Sequence, residues 1–590
     1  MRSSLADPLP LIFFHCKMKF VRKYFFIAIF LFTNYASGLT QGSAQKPTVL
    51  RGTIILPNKV IKHGYVAIVN GRIASVSENL PDIPGAITVN THGIILPGFV
   101  DVHNHVRFNV LPRWKPGRLF TNRNQWRGDP EILRLVSGPI NHLSPSRFCD
   151  MNSWGELRAL VGGTTSIMTT NQQPCIHGLV RNLDFNSGFY GTTQLDREHI
   201  YDVLEIPTDP VQRAFFVGGA RSLIQSPFYE ALFIHLAEGT DDAAEDEFTF
   251  VQSQSLLNPK GVVIHGIPLS ETDFQAMAFN GTALVWSPRS NLELYGQTAN
   301  ILAALDAGVE IALAPDWAVT GSSNMLDELK VAAQWNREQL GGRLADRQLV
   351  DMVTSVPAHI AGVDDEVGAI IVGLRADILV INGDHNNPFR AVIDATAADV
   401  ELVFIDGVPL YGDRTFMEHF WNRSDLEEIK LSGVTKTLAT PEATFLVNDI
   451  ESRLGPALEA EGTSLAPLTE PGDVDISMVG MRGRMNIIYR QFPTTKAEGI
   501  NRKVEKINTG KLEVTTLPNP SRKYFTVRIE SSSGELLQLR VLDILGRTVE
   551  ARNGIVANTT CHIGNDLGPG IYIVEVVQGT ERQMFKLIRQ

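Results

Sequence analysis

Histidine and carboxylate side chains able to hold a metal ion recur at regular intervals along this 590-residue chain. The first are His103 and His105, in Pro97-Gly98-Phe99-Val100-Asp101-Val102-His103-Asn104-His105. Residues two apart on a strand share a face, so the two imidazoles project together. Such a pair is weak evidence by itself. Leu232-Phe233-Ile234-His235 is an apolar strand ending in histidine, followed by Leu236-Ala237-Glu238-Gly239. Thirty residues after His235, Val262-Val263-Ile264-His265-Gly266 ends in the same way. That interval is one strand–helix repeat of roughly 30 residues. Fifty-one residues further on, Ile311-Ala312-Leu313-Ala314-Pro315-Asp316 closes on a carboxylate, two repeats on. Strand ends at this spacing bring their side chains to one rim of a parallel barrel, the rim where such barrels place their chemistry.

The intervening sequence has the elements such a rim needs. Apolar runs of five or six residues alternate with longer helical segments across residues 98–361, the pattern of βα units closing into a TIM (β/α)8 barrel. Short strands flank it on both sides. Val49 to Ile55, Tyr65 to Val69 and Ile73 to Val76, with Asn70-Gly71 as a hairpin turn, lie in 48–97. Ala376 to Ile381 and Val400 to Ile405, with Asp406-Gly407 as a turn, lie in 362–415. These blocks predict a small β domain assembled from both flanks of the barrel. Residues 416–510 read as an extension or linker with helix-like stretches at Ser424 to Lys430 and Glu442 to Glu461. From 515 to 590 period-two alternation returns in Tyr524 to Ile529, Leu537 to Asp543 and Ile571 to Val577, which predicts a separate C-terminal β-sandwich.

Composition excludes some roles. The chain is 44% hydrophobic and 20% charged, with a net charge of −11, so it has no basic field for nucleic acid. Residues 1–38 read as a signal peptide. Lys19, Arg22 and Lys23 precede the apolar run Tyr24 to Phe32, and Ala36-Ser37-Gly38 offers a cleavage site. The run is shorter than the roughly 20 residues of a membrane crossing, so a stable anchor is not expected. Translation could start at Met1 or Met18. Of four cysteines, Cys16 would leave with the signal and Cys561 lies in the last domain. Cys149 and Cys175 are left as candidates for a disulfide in an oxidising compartment.

The metal-capable residues, with Ser355-Val356-Pro357-Ala358-His359-Ile360-Ala361-Gly362 and Gly373-Leu374-Arg375-Ala376-Asp377, resemble the amidohydrolase superfamily over about residues 48–415. Within it they look like the mononuclear branch of cytosine and guanine deaminases and triazine chlorohydrolases. The resemblance implies that His103, His105, His235 and Asp316 bind one divalent ion. It makes Glu238 a proton shuttle, gives His265 the task of holding or polarising the substrate, and lets Asp316 accept a proton from water. Imidazoles with one carboxylate suit Zn²⁺ first, with Fe²⁺ or Mn²⁺ as alternatives. The superfamily's other pattern, two metals bridged by a carboxylated lysine on the fourth strand, lacks its lysine, since none occurs between Lys115 and Lys260. Glu230, five residues before His235, is a poor substitute. Ala314-Pro315 precedes Asp316 where the deaminases show Gly with Thr or Ser, and Trp317 follows, so the resemblance stops short of a substrate.

Substrate signals are sparser. The loop 106–130 holds Arg107, Arg113, Trp114, Arg118, Asn122, Arg123, Trp126 and Arg127, which suit an anionic or planar small molecule. Arg289, after the seventh strand, and Trp317 are further candidates; Asn171-Gln172-Gln173 and His177 follow the second strand. Leu517-Pro518-Asn519-Pro520-Ser521, Asp543-Ile544-Leu545-Gly546-Arg547 and Leu567-Gly568-Pro569-Gly570-Ile571-Tyr572 resemble the sorting domain of the type IX secretion pathway. That resemblance implies an Ig-like sandwich, the type IX machinery as a partner, and release or surface attachment after passage through the periplasm. Superfamily members often form homodimers, but no interface is legible here. The leading expectation is hydrolysis of a non-peptide C–N bond in an amide, cyclic amide or amidine. The alternatives are a prolidase-like dipeptidase and a surface-displayed binding protein without catalysis.

Overall fold

The computed structural model describes residues 46–168, 179–184, 200–469 (apart from 228, 432 and 441–445) and most of 512–589. The signal segment, Cys175, Asn171, Gln172, Gln173 and His177 lie outside the described residues. Cys149 is disulfide-bonded, and the free cysteine among the described residues is Cys561.

The chain opens with four strands, β1 (Thr48–Ile55), β2 (Val60–Val69), β3 (Arg72–Ser77) and β4 (Ile87–Pro97). Asn70 and Gly71, with φ of 51° and 75°, make the β2–β3 turn, whose two left-handed positions favour this pair. Eight short parallel strands follow. They are β5 (Phe99–Asp101), β6 (Thr164–Ile167), β7 (Arg181–Asn182), β8 (Ile200–Glu205), β9 (Ala231–Leu236), β10 (Gly261–His265), β11 (Ala283–Trp286) and β12 (Ile311–Leu313). β5–β6–β7 form one hydrogen-bonded run and β8 to β12 another. Just beyond their ends β12 and β5 are joined by a parallel bridge between Asn104 and Asp316. The result is a TIM-barrel-like α/β fold. Alternation along the strands explains it. Ala231 and Phe233, Val262 and Ile264, Ala283 and Val285, and Ala312 and Ala314 share one interior cluster. Their neighbours Ile234, Val263, Leu284 and Leu313 belong to the larger core that also takes in the helices.

Both flanks meet in one sheet. β13 (Ile378–Ile381) pairs antiparallel with β4, from Ile378 opposite Pro97 to Ile381 opposite Ile94. β14 (Val400–Ile405), β15 (Val408–Gly412), β16 (Leu426–Leu431) and β17 (Val434–Ala439) complete a nine-stranded sheet in the order β16-β17-β15-β14-β13-β4-β1-β2-β3. Of the extension or linker expected over 416–510, residues 426–439 are two strands of this sheet. The stretch expected as a helix from Ser424 to Lys430 is the strand β16. Ile429 and Leu431 are buried while Glu428 and Lys430 are exposed, a period of two. The second expected helix is present as Val447–Ala460. It buries Val447, Ile450, Leu454 and Leu458. Arg453 pairs with Asp150 of the long helix Gly138–Val161 at 2.7 Å, and the Trp154 indole donates to the Ala466 carbonyl at 3.0 Å.

The last strands are β18 (Glu513–Leu517), β19 (Phe525–Glu530), β20 (Leu537–Asp543), β21 (Thr548–Ile555), β22 (Thr559–Ile563), β23 (Gly570–Gln578) and β24 (Glu581–Arg589). They form antiparallel sheets β18-β19-β22 and β21-β20-β23-β24 over a shared core of Phe525, Val527, Leu539, Val541 and Val574. The chain divides into two compact units, 1–488 and 489–590. No described helix is long and apolar enough to cross a membrane.

Candidate metal centre and active site

The rim residues are delivered by different local devices. His235 continues the inward-facing row Ala231, Phe233 along β9 and so points into the barrel. His265 is off-parity with Val262 and Ile264, and a left-handed backbone, φ 75°, turns it back. Asp316 also has positive φ, 68°, outside the usual range for a residue with Cβ. Such strain persists where surrounding structure holds it. Here the Asp316 N–H donates to the His103 carbonyl at 3.0 Å, and the His105 N–H donates to the Asp316 carbonyl at 2.8 Å. β5 ends at Asp101, so His103 and His105 lie just past the strand and are aligned by that bridge. Below them the Asp101 carboxylate accepts from the His103 N–H at 3.2 Å and from Asn104 Nδ2 at 2.7 Å. Asn109 links the layer to the β12 loop, donating to Asn104 Oδ1 at 2.9 Å and accepting from the Ala318 N–H at 2.7 Å.

The ligand-capable atoms converge. His103 Nε2 and His105 Nε2 each lie 3.3 Å from Asp316 Oδ1, and His103 Nε2 lies 3.2 Å from His235 Nε2. His103, His235 and His265 form one group of ligand atoms within 4.8 Å of one another, and His103, His105 and Asp316 form a second. Burial pushes the imidazoles toward the neutral form: His103 and His235 well down, His105 to about 3, His265 down as well. The contacts to Asp316 are therefore not ion pairs of charged histidines. Burial pushes the Asp316 carboxyl well up, partly opposed by the Ser290 hydroxyl, which donates to Oδ2 at 2.6 Å. His103 Nδ1 is held by Ser287 at 3.1 Å, leaving Nε2 for the centre. Neutral imidazole lone pairs meeting a carboxylate in a buried spot fit a shared divalent cation, whose ligands must all be deprotonated.

Two further groups face this centre. Glu238, 3% exposed, directs Oε2 toward His265 Nε2 at 3.8 Å, and that oxygen is buried without a hydrogen-bond partner among the described residues. His265 Nδ1 is bonded to Asn291 Oδ1 at 2.8 Å, which leaves Nε2 facing inward as an acceptor. The loop after β9 is fastened to the loop after β5. The Arg123 N–H donates to the Glu238 carbonyl at 3.2 Å, and Arg123 makes a buried two-pronged pair with Glu247 at 2.6 and 3.0 Å. Gly239, at φ 152°, lies where a Cβ would strike the Thr121 carbonyl, so close approach of the two loops requires glycine here.

A cavity of about 390 Å³ opens on the centre, lined by His105, His235, Glu238, His265 and Asp316 with Phe108, Trp126, Arg127, Val136, Ser137 and Trp317. Its outer wall is aromatic. Trp317 lies 5.5 Å from both Trp126 and Phe108 between ring centroids. Of the arginine-rich loop, Trp126 and Arg127 reach the cavity. Arg123 is committed to Glu247, Arg118 to Asp129, and Trp114 is buried with its indole on Glu131. Arg127 is paired with Glu205 at the end of β8 by bonds of 2.6 and 2.8 Å. Arg289 is buried outside the cavity lining, its N–H donating to Glu328. It lies in the first turn of the helix Pro288–Tyr295, beside Glu328 of the helix Met325–Glu338. The sequence reading missed Phe108, Val136, Ser137 and Tyr295. Phe108 follows His105 by three residues and was open to inference from that spacing; the others carry no local signal.

The chain is similar to known proteins in two segments. Residues 232–410 match the amidohydrolase family, and residues 515–590 match the secretion system C-terminal sorting domain. A 5-methylthioadenosine/S-adenosylhomocysteine deaminase of Desulforudis audaxviator is 28% identical over 193 residues, covering 30% of this chain and 45% of the relative. Deaminase 1 of the same description from Syntrophus aciditrophicus is 23% identical over 427 residues, covering 62% of this chain and 93% of the relative. Among solved structures, an adenosine deaminase of Xanthomonas campestris with bound zinc aligns at 17% identity and TM-score 0.43, over 61% of this chain and 92% of its own.

Proposed function

We propose that this chain, which carries an amidohydrolase domain and a secretion sorting domain, is an exported metal-dependent hydrolase that removes an amine from a planar heteroaromatic ring. It is a hydrolase of C–N bonds outside peptides. The observation that carries the reading is the clustering of ligand-capable atoms around His103, with His105 and Asp316 in one group and His235 and His265 in another, and Glu238 beside His265 in the same cavity lining. His103, His105, His235 and Asp316 would hold the cation, Zn²⁺ being the best match to the donor set, and when bound it would lower the pKa of a water toward about 7. Asp316, buried against Ser290, would accept a proton from the attacking water. Glu238 carries a proton to the departing nitrogen, a role suited to a buried carboxylate facing the cavity. His265, fixed through Nδ1 by Asn291, accepts from the substrate through Nε2 and orients it.

The aromatic wall of Trp126, Trp317 and Phe108 favours a flat ring. Arg127 is already neutralised by Glu205, which disfavours an anionic substrate and supports an uncharged one. Relatives described as deaminases of 5-methylthioadenosine and S-adenosylhomocysteine support an exocyclic amine as the group removed. The sorting domain implies secretion or surface attachment, and its two sheets over one core suit the Ig-like sandwich expected of it.

The test is ammonia release from the zinc-loaded full chain with 5′-methylthioadenosine, adenosine and guanine, beside metal content. About one metal per chain with ammonia from at least one compound is expected. Metal without ammonia from any of them overturns deamination. A folded chain without metal overturns the whole reading.

A further inference from the structure

Glu238 presents two oxygens in different surroundings. Oε1 accepts from the Tyr295 hydroxyl at 2.6 Å, while Oε2 faces His265 in the cavity and has no hydrogen-bond partner among the described residues. Tyr295 ends the helix Pro288–Tyr295 and is 3% exposed, outside the cavity lining. Its oxygen also lies 2.7 Å from Trp126 Nε1. An indole nitrogen only donates, whereas a phenol can donate once and accept as well. The Trp126 N–H therefore makes the Tyr295 oxygen its acceptor, and the single phenol proton is left for Glu238. A proton on Oε1 would displace that phenol proton, which has no other acceptor among the described residues. Leaving a buried donor unmade is costly. The proton of protonated Glu238 accordingly sits on Oε2.

The geometry points to Trp126 and Tyr295 as a positioning relay that holds Oε1 of Glu238 and reserves Oε2 for the proton delivered in the reaction. This rests on the reading of Glu238 as the proton carrier. The relay spans three parts of the barrel: Trp126 from the loop after β5, Tyr295 from the helix after β11, and Glu238 from the loop after β9. Its first member also lines the cavity, its ring 5.5 Å from that of Trp317 and tilted 44° to it. A ring bound against Trp126 thus bears on the residue that orients Tyr295. Tyr295 does not touch the cavity, so its effect on turnover passes through Glu238.

Two measurements on the zinc-loaded full chain test the relay, with thermal unfolding to confirm that each variant folds. The first is infrared difference spectroscopy, in which subtraction of Glu238→Gln isolates the Glu238 carboxylate stretches. Tyr295→Phe, which keeps the ring and drops the hydroxyl, should shift those bands. Trp126→Phe should shift them less, since the phenol keeps its proton but loses its fixed direction. The second is kinetics with 5′-methylthioadenosine. Tyr295→Phe should lower kcat about tenfold, as expected for losing a hydrogen bond to a charged group, and leave KM within about twofold. Unchanged carboxylate bands overturn the relay whatever the kinetics show. Shifted bands with unchanged kcat, or a loss confined to KM, also overturn it. Shifted bands in a protein that releases no ammonia even as wild type leave the relay standing as a hydrogen-bond arrangement and defeat the deaminase reading instead.

Discussion

At the scale of single residues, the centre divides into groups that would hold a cation and groups that would move protons, and substitution should separate them. His235→Ala removes an inward-facing donor buried among the other imidazoles, so the purified variant should lose its metal, read by elemental analysis. Glu238→Gln keeps size and removes the transferable proton. Metal content should stay, and kcat should fall by about 10²–10⁴, the usual contribution of a general acid–base group. Full activity in this variant would show that Glu238 does not carry the proton. Arg123 is different in kind. Its guanidinium is buried against Glu247, whose second bond accepts from the Ala237 N–H at 2.9 Å, so the pair holds the loop that presents Glu238. Removing one partner of a buried pair costs about 3–5 kcal/mol. Arg123→Met should therefore lower thermal stability markedly, and a melting temperature equal to wild type would remove the pair from the account.

Among the elements, the nine-stranded sheet contains a carboxylate in an unfavourable place. Glu401 on β14 has Oε2 buried without a hydrogen-bond partner among the described residues, and its carboxyl is pushed to about 7, first by burial and then by nearby Asp413, with Lys436 opposing. An acid whose pKa is higher folded than unfolded holds a proton in the native chain that the unfolded chain has released. Its contribution to stability is therefore present below the unfolded pKa and lost as pH rises toward 7. Glu401→Gln cannot ionise, so it should raise the melting temperature at about pH 8 and change little at about pH 4.5. Calorimetry at both values checks this, and equal shifts at both would trace the effect to packing. The helix Val447–Ala460 shows the same dependence on context. Its apolar stripe is buried, and its Arg453 reaches Asp150 on the helix that follows the first barrel loop.

For the molecule as a whole, the division at residue 488 predicts independent behaviour of its two parts. Each has its own apolar core, the second built from both of its sheets. Calorimetry of the full chain should show two transitions, and a chain ending at 488 should match the full chain in metal content and ammonia release. One shared transition, or loss of metal on truncation, would show that the parts depend on each other. The same truncation should abolish export, read as protein retained in cells rather than in the medium, because residues 515–590 match the sorting domain.

Much of this architecture was determined by short-range pattern. Apolar runs ending in His235, His265 and Asp316 at repeat spacing set out the barrel and its rim, because the length of one βα unit is a local property, while at His265 and Asp316 a left-handed backbone rather than strand alternation aims the side chain. The flanking strands and their Asn70-Gly71 and Asp406-Gly407 turns were legible for the same reason. What only the tertiary structure decided depends on distant partners. β16 admits a helical reading because Leu426 and Ile429 lie three apart, and pairing with β17 makes it a strand. Arg289 stood where a substrate residue could stand, yet its helix turns it into the interior. Tyr295 gave no local sign of a role. Its importance comes from Trp126, 169 residues away, and Glu238, 57 residues away, which only closure of the barrel brings to one oxygen.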